Sequence, residues 1–292
     1  MRLVIIGNND GPARLAAATP ADAARVVAVG FQKPPPAPAV RLLPNHVRRF
    51  AAPDEATAVR QLSRERFDVL INCFANFRYR RLLDRYRCLN VHPAPLPRYR
   101  GRHPLQWALI NGEPTFGMTV HEMTAAYDAG PILLQTQLTV TPGWSTPELR
   151  EALMEGLTER WPDFVRRLAR GNLVPRPNDP ARAHYVPRRY PADSRLNGDD
   201  LTDHRRAWRK VRALRAGDHP AFLPTTTGEP IRLTDAALPE SLNHRPAAAA
   251  DAHPPLQLTP WGLSLRCADG QTVWLTTDQA LSPAVLSTIL LP

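Results

Sequence analysis

The feature that most constrains this chain is alternation: short apolar runs separated by amphipathic stretches through the first 170 residues. Residues 2–6 (RLVII) lead into Gly7-Asn8-Asn9-Asp10-Gly11, an Ala-rich helix-prone stretch follows, and a second apolar run comes at 25–29. Strand, turn, helix, strand opens a parallel α/β sheet, because parallel neighbours need a crossover between them. Residues 54–66 suit an amphipathic helix with Asp54 as its N-cap. Residues 67–72 (FDVLIN) read as a buried central strand, 73–78 as a loop, 79–86 as a helical stretch and 88–92 as another strand. A helix over 101–111, strands at 117–123 and 132–140, and a long helix over 147–170 capped by Ser145 or Thr146 complete the series. The pattern predicts an α/β fold with a doubly wound, mostly parallel sheet. Ligands in such sheets sit beyond the carboxyl ends of the strands, here the loops after residues 6, 72, 92 and 123.

The pattern changes at 171–198, which is rich in Pro and Arg and has little periodicity. It reads as a linker along the surface. A short basic helix at 199–214 and strand-like runs at 219–223, 231–235, 255–258, 261–267 and 271–277 follow, the last two flanking Asp269-Gly270 as a hairpin would. The organisation expected is a first domain over 1–170, a linker over 171–198, and a small β-rich, open-barrel-like domain over 199–292. Residues 246–255 (PAAAADAHPP) are low in complexity and read as a flexible surface loop. No internal repeat is present.

The 292 residues are 43% hydrophobic, enough for a sizeable core and too apolar for wholesale disorder. No apolar run approaches bilayer length, and the N-terminal one reads as a first strand rather than a signal peptide; a cytoplasmic location without a membrane partner is the expectation. Cys73, Cys88 and Cys267 are an odd, widely spaced set without CxxC, which favours reduced buried thiols over a disulfide framework or a metal site. Lys and Arg number 37 against 27 Asp and Glu, a net charge of +10 carried mostly by Arg. That suits an anionic partner such as a nucleotide-sugar, a folate or a tRNA, and equally suits the Ala-, Pro- and Arg-rich coding of a GC-rich genome.

The densest local signal is the run Leu89-Asn90-Val91-His92-Pro93-Ala94-Pro95-Leu96-Pro97-Arg98-Tyr99-Arg100-Gly101. Strand alternation points Asn90 and His92 the same way at the carboxyl end of a core strand, and the prolines stiffen the loop beyond. Tyr127-Asp128-Ala129-Gly130 lies 36 residues past His92 in a second loop. Each residue also has an ordinary reading: Asn90 as a strand-end turn former, His92 as a satisfied core histidine, Asp128 as a turn cap with Gly130.

Taken together, Asn-x-His, then Leu-Pro-x-Tyr-Arg-Gly, then Asp-x-Gly resembles the folate-dependent formyltransferase family, whose members formylate methionyl-tRNA, glycinamide ribonucleotide and amino sugars on nucleotide carriers. The likeness extends over nearly the whole chain, with Arg189–Asn197 and the later strands resembling the linker and C-terminal domain of longer members. It implies a Rossmann-like catalytic domain, 10-formyltetrahydrofolate as formyl donor, no metal, and Asn90, His92 and Asp128 as catalytic residues. The chemistry suits those residue types. An amine attacking a formyl carbon generates an oxyanion that an Asn amide can stabilise, an imidazole titrates near working pH, and a carboxylate can orient the imidazole or a water.

The resemblance also places the folate against the loop after the central strand, Phe74, Asn76 and Phe77 here, with Leu96 and Tyr127 closing the pocket. Phe74 and Phe77 suit core packing equally well. The basic insertion after the second strand of methionyl-tRNA enzymes is largely missing, since residues 30–38 hold one Lys and several prolines. Asn-x-His-Pro, the Trp-Ala-x-x-Asn-Gly-Glu helix end and Thr119-Val120-His121 resemble the sugar and natural-product branch. Thr119 and His121 share a strand face and, with Asn9, Asp10 and Arg98, are the candidates for substrate contact; packing and turn roles stay open for each. Gly7–Gly11 is not a GxGxxG fingerprint. The leading expectation is therefore an N-formyltransferase acting on a small-molecule amine. A methionyl-tRNA formyltransferase is the alternative, and a non-catalytic folate- or ligand-binding homologue a further one.

Overall fold

Residues Leu3, Val4, Ile5 and Ile6 are wholly buried, which is why the first strand, β1 (Arg2–Gly7), lies in the middle of its sheet rather than at an edge. The computed structural model describes residues 1–217, 219–239, 255–260 and 262–291. These divide into two compact units, one of Met1–Pro104, Thr115–Leu138 and Glu151–Val186, the other of Leu105–Pro114, Thr139–Arg150 and Pro187–Pro292.

In the first unit, α1 (Gly11–Ala18) leads to β2 (Arg25–Phe31), α2 (Ala37–Leu42), β3 (Arg48–Ala51), α3 (Glu55–Leu62), β4 (Val69–Cys73) and β5 (Arg87–His92). A two-residue strand β6 (Arg100–Gly101) precedes β7 (Thr115–Glu122) and β8 (Ile132–Thr139), and between β6 and β7 the chain forms α4 (Pro104–Asn111), which from Leu105 on belongs to the second unit. Helix α5 (Thr146–Ala169) and a second two-residue strand, β9 (Tyr185–Val186), follow. The sheet runs β3-β2-β1-β4-β5-β7-β8, with parallel pairing from β3 to β5 and an antiparallel pair β5–β7. This is the expected doubly wound, mostly parallel Rossmann-like sheet. On one face of it, Val4, Ile6, Ala28, Leu70 and Cys88 pack with Phe50, Leu62, Tyr79 and Leu82, and each buried aliphatic side chain contributes about 1.5–3 kcal/mol.

Several expected elements need correction. The Asp54 carboxylate caps α3 from the Thr57 N–H at 2.7 Å, as expected, but the helix stops at Leu62 rather than 66. Residues 79–86 form turns instead of a helix, because the Arg80 and Leu82 amides donate to the Glu55 carboxylate rather than into a helical ladder. The helix expected from 101 starts at Pro104, since Arg100 and Gly101 pair with Tyr185 and Val186 in a short parallel ladder. α2 and β3 lie in a stretch where no element was expected.

In the second unit, Ser145 caps α5: its N–H and hydroxyl both bond the Glu148 carboxylate, at 2.7 and 2.6 Å. The basic helix expected at 199–214 is a 3-10 turn followed by α6 (His204–Leu214), broken at Asp203, which caps it by accepting from Arg205 N–H. The strand-like runs become β10 (Phe222–Leu223), β11 (Ile231–Arg232), β12 (Asp235–Ala237), β13 (Leu256–Thr259), β14 (Gly262–Arg266) and β15 (Thr272–Thr276), with α7 (Pro283–Leu286) last. They make a four-stranded sheet, β12-β15-β14-β13, antiparallel throughout, and a separate antiparallel β10–β11 pair. The β14–β15 hairpin turns through Gly270 at φ 78°. Lys210 is buried against Asp200 at 2.6 Å and donates to the Arg195 carbonyl. Apart from Pro255, the low-complexity stretch 246–255 lies outside the described residues. All three cysteines are buried and none forms a disulfide. No helix among the described residues is long and apolar enough to cross a membrane.

Candidate active site

The carboxyl end of β5 presents Asn90 and His92 to one face, and β7 sets His121 opposite Asn90 and Thr119 opposite His92. The Asn90 carboxamide is oriented from behind: its Oδ1 accepts from Asn72 Nδ2 at 2.8 Å. Asn72 is itself tied to Ala75 N–H and Tyr79 OH through its Oδ1, each at 3.0 Å. That leaves the Asn90 Nδ2 hydrogens facing His121 Nε2 at 3.0 Å and Asp128 Oδ1 at 3.3 Å.

The two imidazoles are set by carbonyl oxygens, which can only accept. His121 Nδ1 donates to the Glu122 carbonyl at 2.8 Å, so its Nε2 is the acceptor for Asn90. His92 Nε2 donates to the Tyr99 carbonyl at 2.9 Å, which turns Nδ1 towards Asp128 Oδ1, 3.4 Å away. Tyr99 reaches that position in the left-handed region, φ 59°, an uncommon conformation for a bulky residue.

Asp128 arrives from an unexpected direction. Because β7 is antiparallel to β5, its carboxyl end, Glu122, lies opposite Leu89 and not at the His92 end. The expectation that the loop after residue 123 emerges beside the loop after 92 is therefore wrong for the strand, but the loop folds back to deliver its carboxylate. Gly130 permits this, since a Cβ there would collide with the Glu122 carbonyl. Asp128 takes φ 52°, and its Oδ2 accepts from Gly101 N–H at 2.9 Å. Gly101 has φ 103° and no room for a Cβ beside Val186.

Burial raises the Asp128 pKa, but the nearby His92 and His121 imidazoles and the Gly101 amide outweigh it and hold the carboxyl at about 2. Burial pushes His92 below its ordinary value; Asp128 and the Tyr99 carbonyl oppose the shift without reversing it. At neutral pH the cluster thus offers an amide N–H donor, an unprotonated imidazole nitrogen and a carboxylate around one point. That donor set fits an acyl-transfer centre: an oxyanion donor, a proton acceptor and an orienting charge.

The other candidates are distributed around it. Phe74 (φ 71°, half-buried), Asn76 (exposed) and Phe77 (half-buried) share one loop, joined to the loop after β1 through Asn8 Nδ2, which donates to the Phe74 carbonyl. Tyr127 is 58% exposed, with the Arg78 guanidinium over its ring. Leu96 is buried, preceding a cis peptide to Pro97. The buried Thr119 hydroxyl donates to the Ala94 carbonyl at 2.7 Å and accepts from Leu96 N–H and Gln135 Nε2, which fastens the proline loop to β7. Asn9 is exposed at φ 57°, Asp10 lies 3.5 Å from Arg14, and Arg98 is exposed over the Tyr99 ring.

Four contributors went unnoticed in the sequence. Asn72 is next to last in the strand β4, where it reads as a plain buried-strand residue. The Tyr99 carbonyl and Gly101 amide lie inside the quoted motif, but backbone roles leave no residue-type signal beyond the glycine. Asn178 lies in the Pro- and Arg-rich stretch and no pattern marks it; its Nδ2 donates to the Asp128 and Gly130 carbonyls at 2.8 and 2.9 Å.

A family model described as "Formyl transferase" matches residues 7–161. The methionyl-tRNA formyltransferase of Thermotoga maritima is 40% identical over 105 residues, 36% of this chain and 34% of that protein, so the chain spans about a third of this relative's length. Among solved structures, HypX from Aquifex aeolicus in complex with tetrahydrofolic acid superposes at TM-score 0.65 and 19% identity, over 96% of this chain and 44% of that one. A sugar N-formyltransferase from a Shewanella species superposes at TM-score 0.63 and 20% identity, over 80% of this chain and 96% of that one. At these identities the structural likeness speaks for the fold alone.

Proposed function

Since the chain belongs to the formyl transferase family, we propose that it moves the formyl group of 10-formyltetrahydrofolate onto the amine of a small molecule, an amino sugar on a nucleotide carrier or a natural-product intermediate. The observation that carries the reading is the convergence of Asn90, His92 and Asp128, with His92 Nδ1 3.4 Å from Asp128 Oδ1. Asn90 Nδ2 donates to the oxyanion that forms when the amine adds to the formyl carbon, exchanging its long bond to Asp128 for that shorter, charged one. His92 Nδ1 accepts the proton lost by the attacking nitrogen. Asp128 stabilises the imidazolium so formed, which returns the proton to the folate nitrogen as the old carbon–nitrogen bond breaks. The loop bearing Phe74, Asn76 and Phe77, with Tyr127 facing it across Arg78, suits the flat pterin of the donor.

A second reading, transfer to methionyl-tRNA, is favoured by the name of the Thermotoga relative and by the net charge of +10. The deciding experiment incubates the protein with 10-formyltetrahydrofolate and a panel of amines that includes amino-sugar nucleotides and charged initiator tRNA, and follows a mass gain of one formyl group. Transfer to a small amine, abolished in His92→Ala, supports the first reading; transfer to the tRNA alone supports the second. Folate binding without turnover on any amine overturns both.

A further inference from the structure

We infer that Arg100 and Asn178 act as a positioning pair that aims the Asp128 carboxylate, an inference that rests on the formyl-transfer reading. Arg100 is 3% exposed, and its hydrogen-bond partners are neutral: Asn178 Oδ1 at 2.6 Å and Asn178 carbonyl at 3.0 Å from Nη2, and the Tyr185 hydroxyl at 3.2 Å from Nη1. Its Nε has no hydrogen-bond partner. A guanidinium held dry without a hydrogen-bonded carboxylate is costly to the fold, so the bonds it makes are the place to look for its use.

Those bonds lead to Asp128 in one step. Arg100 grips both acceptors of Asn178, which leaves the Asn178 Nδ2 free to bridge the Asp128 and Gly130 carbonyls. The next residue after Arg100, Gly101, takes the far carboxylate oxygen, Oδ2, on its N–H. The segment bearing Asn178 is itself pinned on both sides, by paired Ile132–Arg176 backbone bonds and by the β6–β9 ladder. The main chain of Asp128 is thus clamped from one side and Oδ2 from another, so Oδ1 alone faces Asn90 and His92. Holding a residue at φ 52° in one rotamer against its own backbone preference is what such a clamp achieves.

Asn178→Asp is the discriminating variant. It keeps the shape and gives Arg100 a carboxylate partner, so the fold is retained, but it turns an oxygen towards the two loop carbonyls and drives them away. Arg100→Lys keeps the charge and loses the planar two-bond grip on Asn178. For Asn178→Asp, kcat is expected to fall roughly 10- to 100-fold, with KM for the formyl folate within about threefold of wild type. The kcat of Arg100→Lys is expected to fall between those of the wild type and Asn178→Asp. The melting temperature is expected to stay within a few degrees in both, and the Asn90 side-chain amide resonance to move, because Asp128 Oδ1 leaves it. An unchanged kcat in both variants overturns the inference, and so does a loss in which kcat, KM and melting temperature move together. Should the wild-type protein formylate no amine, the functional reading fails first. The Asn90 resonance then decides the clamp on its own: movement in Asn178→Asp upholds it, and an unmoved resonance sinks it.

Discussion

The Tyr99 carbonyl lies 2.9 Å from His92 Nε2 and thereby decides which ring nitrogen carries the proton of the neutral imidazole. The nitrogen left without a proton is then Nδ1, 3.4 Å from Asp128 Oδ1. His92→Ala is expected to lower formyl transfer about 10²- to 10⁴-fold with the folate still bound. Burial lowers the His92 pKa below 6.5, so the acceptor form persists through neutrality and the acid limb of kcat is expected below that pH. A rate profile falling away already above pH 6.5 would count against His92 as the acceptor.

Asp128 makes a separable prediction about stability. Its carboxyl sits at about 2 in the folded chain, below the ordinary 3.8, so ionisation favours the folded state. That contribution is fully present above about pH 4 and is lost as pH falls through 2; a shift of this size corresponds to about 2 kcal/mol. Asp128→Asn is expected to flatten this part of the acid-unfolding curve and to reduce kcat by at least about tenfold. Denaturant titrations at pH 6 and pH 2.5 check the first effect.

Asn72 holds Asn90 from behind while satisfying a buried phenol and a buried amide. Asn72→Ala strands those groups and is expected to cost about 1–3 kcal/mol. With Asn90 free to rotate, kcat should also fall roughly tenfold or more. Measuring both quantities in Asn72→Ala and in Tyr79→Phe separates the two roles, because Tyr79→Phe removes the phenol bond and leaves the Asn72–Asn90 contact in place.

In the second unit, Lys210→Met leaves Asp200 as a buried carboxylate without its ammonium, and is expected to destabilise by about 3–5 kcal/mol. Adding Asp200→Leu should recover much of that loss. A double-mutant cycle by urea unfolding tests the coupling, and additive losses would show the pair to be unlinked.

Salt separates the two acceptor readings. Binding to a tRNA is expected to weaken steeply between 50 and 200 mM salt, about tenfold or more for several phosphate contacts, whereas KM for a small amine should change little. Filter binding and initial rates over the same salt series provide the comparison.

Much of the fold was legible because its central strands are buried on both faces and leave uninterrupted apolar runs, as at Leu3–Ile6 and Leu70–Ile71. The Asp54 cap and the β14–β15 hairpin carry local chemistry that needs no long-range information. Asn90 and His92 could be paired by strand alternation alone. The direction of β7 could not, since an antiparallel strand in a buried position reads like a parallel one. The stretch 79–86 has helical composition, but Glu55, distant in sequence, claims its amides. Asn178 was invisible for the same reason: its partners lie 48 to 78 residues away.

The span of those bonds bears on how the centre is completed as the chain is made. Asn90, His92 and Asp128 have all left the ribosome before Asn178, 50 residues further on, is added. A fragment ending at residue 161, where the family match stops, carries Asn90, His92 and Asp128 yet lacks the amide that braces the Asp128 loop and the strand that pairs with Arg100. Synthesis beyond Val186 is therefore the last step in building the centre, and excising the leading segment as a minimal catalytic module would leave its carboxylate adrift.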